Sequence, residues 1–231
     1  MRTLTRMMAG VSVVALIGVA PASAQDIVKL SEFDQSQLEN AWSAKQIQDA
    51  TVYGADGNEV GNVQGIVVGP DDKAQQVVVE TGGVLAPGKA IAVPFDQVDL
   101  TPGEEGIQTP VSKGNVQDFS LFTDRGQAMM DERSFRASEV IGDYVRLTQA
   151  RDYGYVSDLI FEPDGTLKSV VVAPDVGWEE GYYSAFPWHG YEYGFDPGAE
   201  VYELPYAEEE VLEYAGAYEN WDYDGLFEGH L

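Results

Sequence analysis

The sequence of 231 residues contains no cysteine and only two histidines, His189 and His230. The absence of thiols excludes a disulfide framework, a cysteine nucleophile, zinc–thiolate sites and a lipid-modified cysteine. Two histidines are also too few for the usual structural zinc centre without cysteine. Because no cross-link of these kinds is available, the fold must be held together by the burial of apolar side chains.

Basic residues are scarce as well, with 13 lysines and arginines against 39 acidic residues and a net charge of −26. No lysine or arginine follows Lys168. Such a charge repels phosphate backbones and anionic lipids, which excludes nucleic acid and disfavours membrane surfaces as partners. It suits a basic protein partner or divalent cations; the plainer interpretation is a surface that keeps the protein soluble.

Only one long apolar run is present, at residues 7–20, and it follows Arg2 and Arg6. A small-residue motif, Ala22-Ser23-Ala24, comes after it, which completes the layout of a secretory signal peptide. The alternative, an uncleaved anchor, is weakened because the run is short for a membrane span. We therefore predict a signal peptide at residues 1–24, a mature start at Gln25, and a periplasmic or secreted protein without membrane insertion.

The sequence contains an internal duplication. A shift of 93 residues aligns residues 44–98 with residues 137–191 without a gap, and twelve of the fifty-five pairs are identical. The identities fall on glycines, prolines and apolar strand positions, such as Gly61 with Gly154 and Val77-Val78-Val79 with Val170-Val171-Val172. A register that holds through turns as well as strands indicates two copies of one domain.

Each copy has the pattern of a β-domain. In the first copy, Ser43 is a predicted N-cap for a helical turn at residues 44–48, and Asp56-Gly57 is typical of a hairpin turn. The predicted strands of this copy are residues 51–54, 59–68, 74–81, 90–94 and 97–100. Five or six short strands with frequent turns predict an all-β (mainly β) fold of two tandem small closed β-barrels of about six strands each.

Several motifs carry a resemblance to a known family. In the first copy they are Asp56-Gly57, Gly61-Asn62-Val63, Pro70-Asp71-Asp72, Val77-Val78-Val79, Gly82-Gly83 and Ala92-Val93-Pro94-Phe95; in the second they are Gly154-Tyr155-Val156, Pro163-Asp164-Gly165, Val170-Val171-Val172 and Ala185-Phe186-Pro187-Trp188. In their order and spacing these segments resemble the PRC-barrel family. The resemblance implies a six-stranded barrel that serves mainly for protein–protein contact, with no catalytic constellation to carry over.

This interpretation sets the predicted domain organisation. The first PRC-barrel-like domain spans residues 42–100, a linker spans 101–134, and the second domain spans 135–204. An acidic, aromatic C-terminal tail covers residues 205–231, and residues 208–217 have the pattern of a short helix with Val211, Leu212 and Tyr214 or Ala215 inward.

The sequence offers little for catalysis, and we predict no enzyme, no cofactor and no assigned metal site. A hydrolytic triad would have to use His189, which we interpret as a partly buried histidine between aromatic residues. The acidic pair Glu179-Glu180 lies in a loop that the first copy does not share. A divalent-cation or small-ligand module with acidic loops such as Asp71-Asp72 stays open as an alternative, and an unrecognised hydrolase is a third.

The most distinctive segment is the C-terminal quarter, where twelve acidic residues follow Tyr191 and aromatic residues alternate with them. Aromatic side chains supply contact energy and acidic ones steer a basic partner. The predicted partner-binding residues are Trp178, Tyr182, Trp188, Tyr191, Tyr214, Tyr218, Trp221 and Tyr223. The sequence thus predicts an exported interaction or scaffolding module of the cell envelope that binds a protein partner, with a basic protein as one candidate, or associates with itself.

Overall fold

The computed structural model describes residues 27–38, 41–48, 50–82, 89–100, 106–121, 131, 133–175 and 183–217. The predicted signal peptide and the last part of the predicted tail lie outside these ranges, as do parts of the linker. Within them, no helix has the length and apolar character needed to cross a membrane.

The first copy is built of short strands and tight turns, preceded by two 3₁₀ turns, Leu30–Glu32 and Gln35–Leu38. Its elements are β1 (Trp42–Ser43), α1 (Ala44–Ile47), β2 (Thr51–Tyr53), β3 (Glu59–Val68), β4 (Ala74–Thr81), β5 (Lys89–Pro94), a 3₁₀ turn (Phe95–Gln97) and β6 (Ile107–Gln108). A further 3₁₀ turn, Val116–Asp118, leads to β7 (Ser120–Leu121). Ser43 caps α1 as predicted, because its hydroxyl accepts the Gln46 N–H at 3.2 Å.

The second copy repeats this order and adds a helix. Its elements are β8 (Phe135–Arg136), α2 (Ala137–Val140), β9 (Tyr144–Leu147), a 3₁₀ turn (Thr148–Ala150), β10 (Arg151–Phe161), β11 (Leu167–Pro174), β12 (Ser184–Pro187), a 3₁₀ turn (Tyr191–Tyr193), β13 (Val201–Glu203) and α3 (Glu208–Ala217). The predicted helix at residues 208–217 is therefore present. Val211 and Tyr214 face inward as predicted, but the prediction for Leu212 is wrong, because this side chain is 44% exposed.

The fold is mainly β, as predicted, but the described strands do not form closed barrels. One sheet runs β12-β11-β10-β9-β13, and the other runs β6-β2-β3-β4-β5-β7. Both are open paths in which β13 and β6 pair in parallel with β9 and β2. The prediction of a strand at residues 97–100 is wrong. Gln97 ends the 3₁₀ turn, and in this segment Asp99 forms an isolated bridge with Gln108.

The two copies exchange their first strands. β1 of the first copy pairs with β10 of the second, with Trp42 opposite Phe161. β8 of the second copy pairs with β3 of the first, with Phe135 opposite Val68. Both pairings obey the 93-residue shift, so the exchange is reciprocal and has the symmetry of a twofold axis.

The twofold relation is visible at the turns between the central strands. Lys73 forms a β-bridge with Thr166, the residue to which the repeat aligns it. On either side, Ala74 donates its N–H to the Gly165 carbonyl at 2.8 Å, and Leu167 donates its N–H to the Asp72 carbonyl at 2.8 Å. The axis therefore passes between Lys73 and Thr166.

One hydrophobic core serves both copies. Val77 and Val79 of β4, Val170 and Val172 of β11, and the exchanged Phe135 are all buried in the same cluster. The glycine identities of the repeat have a packing reason: a Cβ atom at Gly61 would lie 1.9 Å from the Glu80 carbonyl oxygen, and one at Gly154 would lie 2.1 Å from that of Ala173. Side chains at these two positions would separate β3 from β4 and β10 from β11.

Candidate functional site

A cleft of about 530 Å³ opens where the first copy meets the second. Its lining residues come from β1, β4, the segment after β5, and the turn before β11: Trp42, Ala74, Phe95, Asp96, Val98, Asp99, Leu100, Pro163 and Asp164. Because Pro163 and Asp164 belong to the second copy, neither copy forms this cleft alone.

The floor of the cleft is apolar and its rim is acidic. Trp42 and Leu100 are buried at its base, and Phe95 is half-buried. Asp96 and Asp99 are exposed at the rim. An apolar floor with a few polar groups at its edge is the usual composition of a binding site.

Asp164, the carboxylate that the second copy contributes, is paired with a lysine of the first copy. Lys73 Nζ lies 2.9 Å from its Oδ2 atom, across the twofold axis. This hydrogen bond and those from Thr166 lower the pKa of Asp164 well below its usual range. Asp96 and Asp99 add exposed carboxylates to the same rim.

The equivalent place in the second copy is filled by aromatic rings. Phe195 packs edge-on against Phe135, with ring centroids 5.0 Å apart, and against Trp188 at 4.9 Å. Tyr202 stacks on Trp188 at 5.2 Å and also contacts Phe195 at 6.0 Å, and Tyr191 packs edge-on against Phe195 at 5.3 Å.

The repeat explains this difference between the copies. The 93-residue shift aligns Trp42 with Phe135, Phe95 with Trp188 and Val98 with Tyr191. Beyond these positions the second copy has two additional residues, since Pro102-Gly103 matches Pro197-Gly198, and β6 pairs with β2 as β13 pairs with β9.

Leu100 and Ile107 therefore correspond to Phe195 and Tyr202. At Val98, Leu100 and Ile107 the first copy has aliphatic side chains where the second has rings. The smaller volume of these side chains accounts for the open space on this side of the molecule.

His189, the one described histidine, is buried in the second copy. Its Nε2 atom lies 2.8 Å from the Tyr206 hydroxyl, which donates to the Val28 carbonyl at 2.8 Å. Its backbone N–H donates to the Tyr202 hydroxyl at 2.8 Å. Burial lowers the pKa of His189 from 6.5 to about 4, so the ring is neutral. His189 is therefore a core residue that forms hydrogen bonds with the hydroxyls of Tyr202 and Tyr206, and it is more deeply buried than predicted.

Three of the predicted partner-binding residues lie in the described part of the chain: Trp188, Tyr191 and Tyr214. For Tyr214 the structure corrects the prediction. It is only 6% exposed, and its hydroxyl donates to the Ala185 carbonyl at 2.7 Å. The inner face of α3 buries this ring, so Tyr214 is a core residue and not a contact surface.

Trp188 and Tyr191 are half-buried in the aromatic cluster. The Tyr191 hydroxyl donates to the Arg133 carbonyl, and the Arg133 guanidinium lies 5.7 Å from the centre of its ring. Trp178, Tyr182, Tyr218, Trp221 and Tyr223 lie outside the described residues, so their role stays a prediction.

Sequence reasoning missed two surface features. One is the cleft, whose signal was available in the exchange of aliphatic for aromatic residues between the aligned copies. The other is an exposed tyrosine pair on β9 and β10, Tyr144 and Tyr155, with ring centroids 4.7 Å apart. Beside it, burial and the charge of Glu200 raise the pKa of Asp143 to about 6.

In the described ranges, no three histidine or acidic side chains come together as metal ligands would.

The sequence profile of the PRC-barrel domain matches the chain twice, at residues 39–116 and 132–211. The chain belongs to the PRC-barrel domain family. The two matches confirm the tandem arrangement inferred from the repeat, and each includes the exchanged first strand of its copy and the parallel strand that ends it. No curated protein matches the chain significantly. Membership in the PRC-barrel family indicates a non-catalytic binding or scaffolding module.

Proposed function

We propose that this PRC-barrel protein is an exported interaction module of the cell envelope and that it binds a protein partner at the cleft between its two copies. The observation that carries the proposal is the construction of the cleft, in which an apolar base and an acidic rim of the first copy meet Pro163 and Asp164 of the second copy. Because both copies contribute lining residues, a partner bound in the cleft would contact both copies at once and stabilise their paired arrangement. The sequence features of residues 1–24 support export.

Photo-crosslinking in intact cells tests the binding site. A photoreactive amino acid replaces Asp96 at the rim, and the control places it at Glu192, the exposed residue of the second copy that aligns with Asp99. We expect a discrete cross-linked species from position 96, identified by mass spectrometry, and a weaker or different pattern from position 192. Identical patterns from both positions would show that partners do not use the cleft.

Cell fractionation tests the localisation. We expect the protein in the periplasmic or secreted fraction, with an N-terminal sequence that begins at Gln25. A full-length chain in the cytoplasm would contradict the export part of the proposal.

The alternative of a divalent-cation module predicts a different result. Calcium should then raise the melting temperature of the mature protein, and EDTA should lower it. The interaction proposal expects no change in either direction.

A further inference from the structure

We propose that the cleft accepts an aromatic side chain from a partner segment in which lysine or arginine residues flank that ring. This inference rests on the proposed function and names the chemistry of the partner. It follows from two independent observations, one on the shape of the cleft and one on its charge.

The second copy shows which side chain fills the place equivalent to the cleft. There Phe135 and Trp188 stack on each other at 5.8 Å, and the Phe195 ring packs edge-on against both, with centroid separations of 5.0 and 4.9 Å. The first copy presents Trp42 and Phe95 at the equivalent positions but supplies the aliphatic Leu100 in place of the phenylalanine. Edge-on contacts between rings favour an aromatic occupant over an aliphatic one of similar size.

The cleft also has the capacity for such an occupant. Its volume of about 530 Å³ falls within the range of sites that bury a ligand or an anchoring side chain. A ring seated on Trp42 and Phe95 would leave its neighbouring residues at the rim. Those neighbours would meet the carboxylates of Asp96 and Asp99.

The negative charge at the rim of the cleft favours basic residues beside the aromatic ring of the partner. Asp96 and Asp99 are exposed, and the chain as a whole has a net charge of −26. The aromatic C-terminal segment of this chain, residues 218–231, carries four acidic residues and no lysine or arginine. Like charge therefore disfavours this segment as the occupant, whereas a basic segment is attracted to the same rim.

A peptide series tests the inference on the full mature protein. The probes are fluorescently labelled pentapeptides with tryptophan at the centre and four lysines around it, with alanine in place of the tryptophan, and with glutamates in place of the lysines. Fluorescence anisotropy should show binding of the lysine–tryptophan peptide, and replacement of its tryptophan by alanine should weaken binding by about tenfold or more. Glutamate-flanked peptide should not bind. Equal binding of the alanine peptide, or binding of the glutamate peptide, would overturn the proposal.

Variants of the protein locate the site. Val98→Tyr introduces the residue found at the aligned position of the second copy and should occupy the cleft, so peptide binding should fall by about tenfold or more. Asp96→Asn with Asp99→Asn, two changes at exposed positions, should weaken binding by about threefold to tenfold at low salt and by less at high salt. Glu192→Gln is the matched control and should bind as the unmodified protein does.

Urea unfolding of each variant separates a filled cleft from a damaged fold. Loss of binding in folded Val98→Tyr protein supports the site, while unchanged binding in the same protein rejects it. If Val98→Tyr does not fold, the binding measured with the double asparagine variant decides alone.

Failure of this inference is distinguishable from failure of the proposed function. A protein that cross-links partners from position 96 but does not bind the peptides keeps its proposed function and contradicts only this partner chemistry. Cross-links from position 96 to residues 218–231 of the chain itself would also overturn it.

Discussion

The two copies of this protein share one backbone plan and differ in how they fill it. Gly61 and Gly154 hold the same close strand contacts, and the triple-valine strands occupy the same place in the core. After the fifth strand the copies diverge, because the first has aliphatic residues and a cleft where the second has a packed aromatic cluster. In the second copy the aromatic rings pack into the core, and in the first copy the smaller side chains leave the cleft that we propose as the binding site.

The largest test of the comparison is to separate the copies. Expressed alone, residues 27–121 lose β8 from the edge of β3, and residues 131–217 lose β1 from the edge of β10. We expect that neither half folds as a stable monomer, because each would have to rearrange its own first strand onto its own sheet or take that strand from a second molecule. Size-exclusion chromatography with light scattering, combined with circular dichroism, measures this. A folded monomeric half would show that the exchange is not required.

Much of this architecture could be predicted from the sequence, and the reasons are local. The bounds of β3 and β4 match the prediction because Asp56-Gly57 and Pro70-Asp71 are strong turn signals on either side. By contrast, β6 and β13 are two and three residues long and pair in parallel, so they have no alternation to recognise.

The strand exchange and the cleft could not be predicted from the sequence, for other reasons. A repeat in the sequence specifies which residues are equivalent but not which copy receives β1. Trp42 and Asp164 lie 122 positions apart in the chain, so only the fold brings them to one cleft.

A pair of aligned aromatic residues tests how each copy uses its rings. Phe135 is fully buried among Trp188, Tyr191 and Phe195, so Phe135→Ala should lower the free energy of unfolding by about 3–5 kcal/mol. Trp42→Ala should cost less, although tryptophan is larger, because one side of Trp42 already borders the cleft. Urea unfolding measures both. Equal or reversed costs would mean that the cleft side is packed as tightly as the aromatic side.

The aligned pair His189 and Asp96 gives the copies different responses to acid. His189 is held neutral because burial lowers its pKa from 6.5 to about 4. Between these pH values the unfolded chain binds a proton that the folded protein does not, so this contribution to stability is present above pH 6.5 and is lost as the pH falls toward 4. The full loss is about 3 kcal/mol.

Replacement of the histidine isolates this contribution. His189→Asn has no proton to bind, so its free energy of unfolding should fall less between pH 7 and pH 4.5 than that of the unmodified protein. The raised pKa of Asp143, about 6, acts with the opposite sign but is present in both proteins and cancels in the comparison. Urea unfolding at several pH values measures the difference. Parallel pH profiles of the two proteins would contradict the assignment of a buried, neutral histidine.

The smallest expected effect concerns an asymmetry within the exchange itself. Asp158 of β10 is fully buried. Its carboxylate accepts hydrogen bonds from the Ser43 hydroxyl, from the Lys45 N–H at 3.1 Å and from the Leu159 N–H at 2.7 Å. The first copy has Gly65 at the aligned position, and glycine offers α2 no equivalent carboxylate.

Asp158→Asn replaces one accepting oxygen with an amide donor and should lower the free energy of unfolding by about 1–3 kcal/mol. The control Asp152→Asn removes an exposed partner of Arg146 and should cost less than about 1 kcal/mol. A cost for Asp158→Asn no larger than that of the control would show that the two exchanged segments are held equally well. The carboxylate would then contribute no more to the first segment than Gly65 does to the second, and the difference between the copies would be confined to the rings around the cleft.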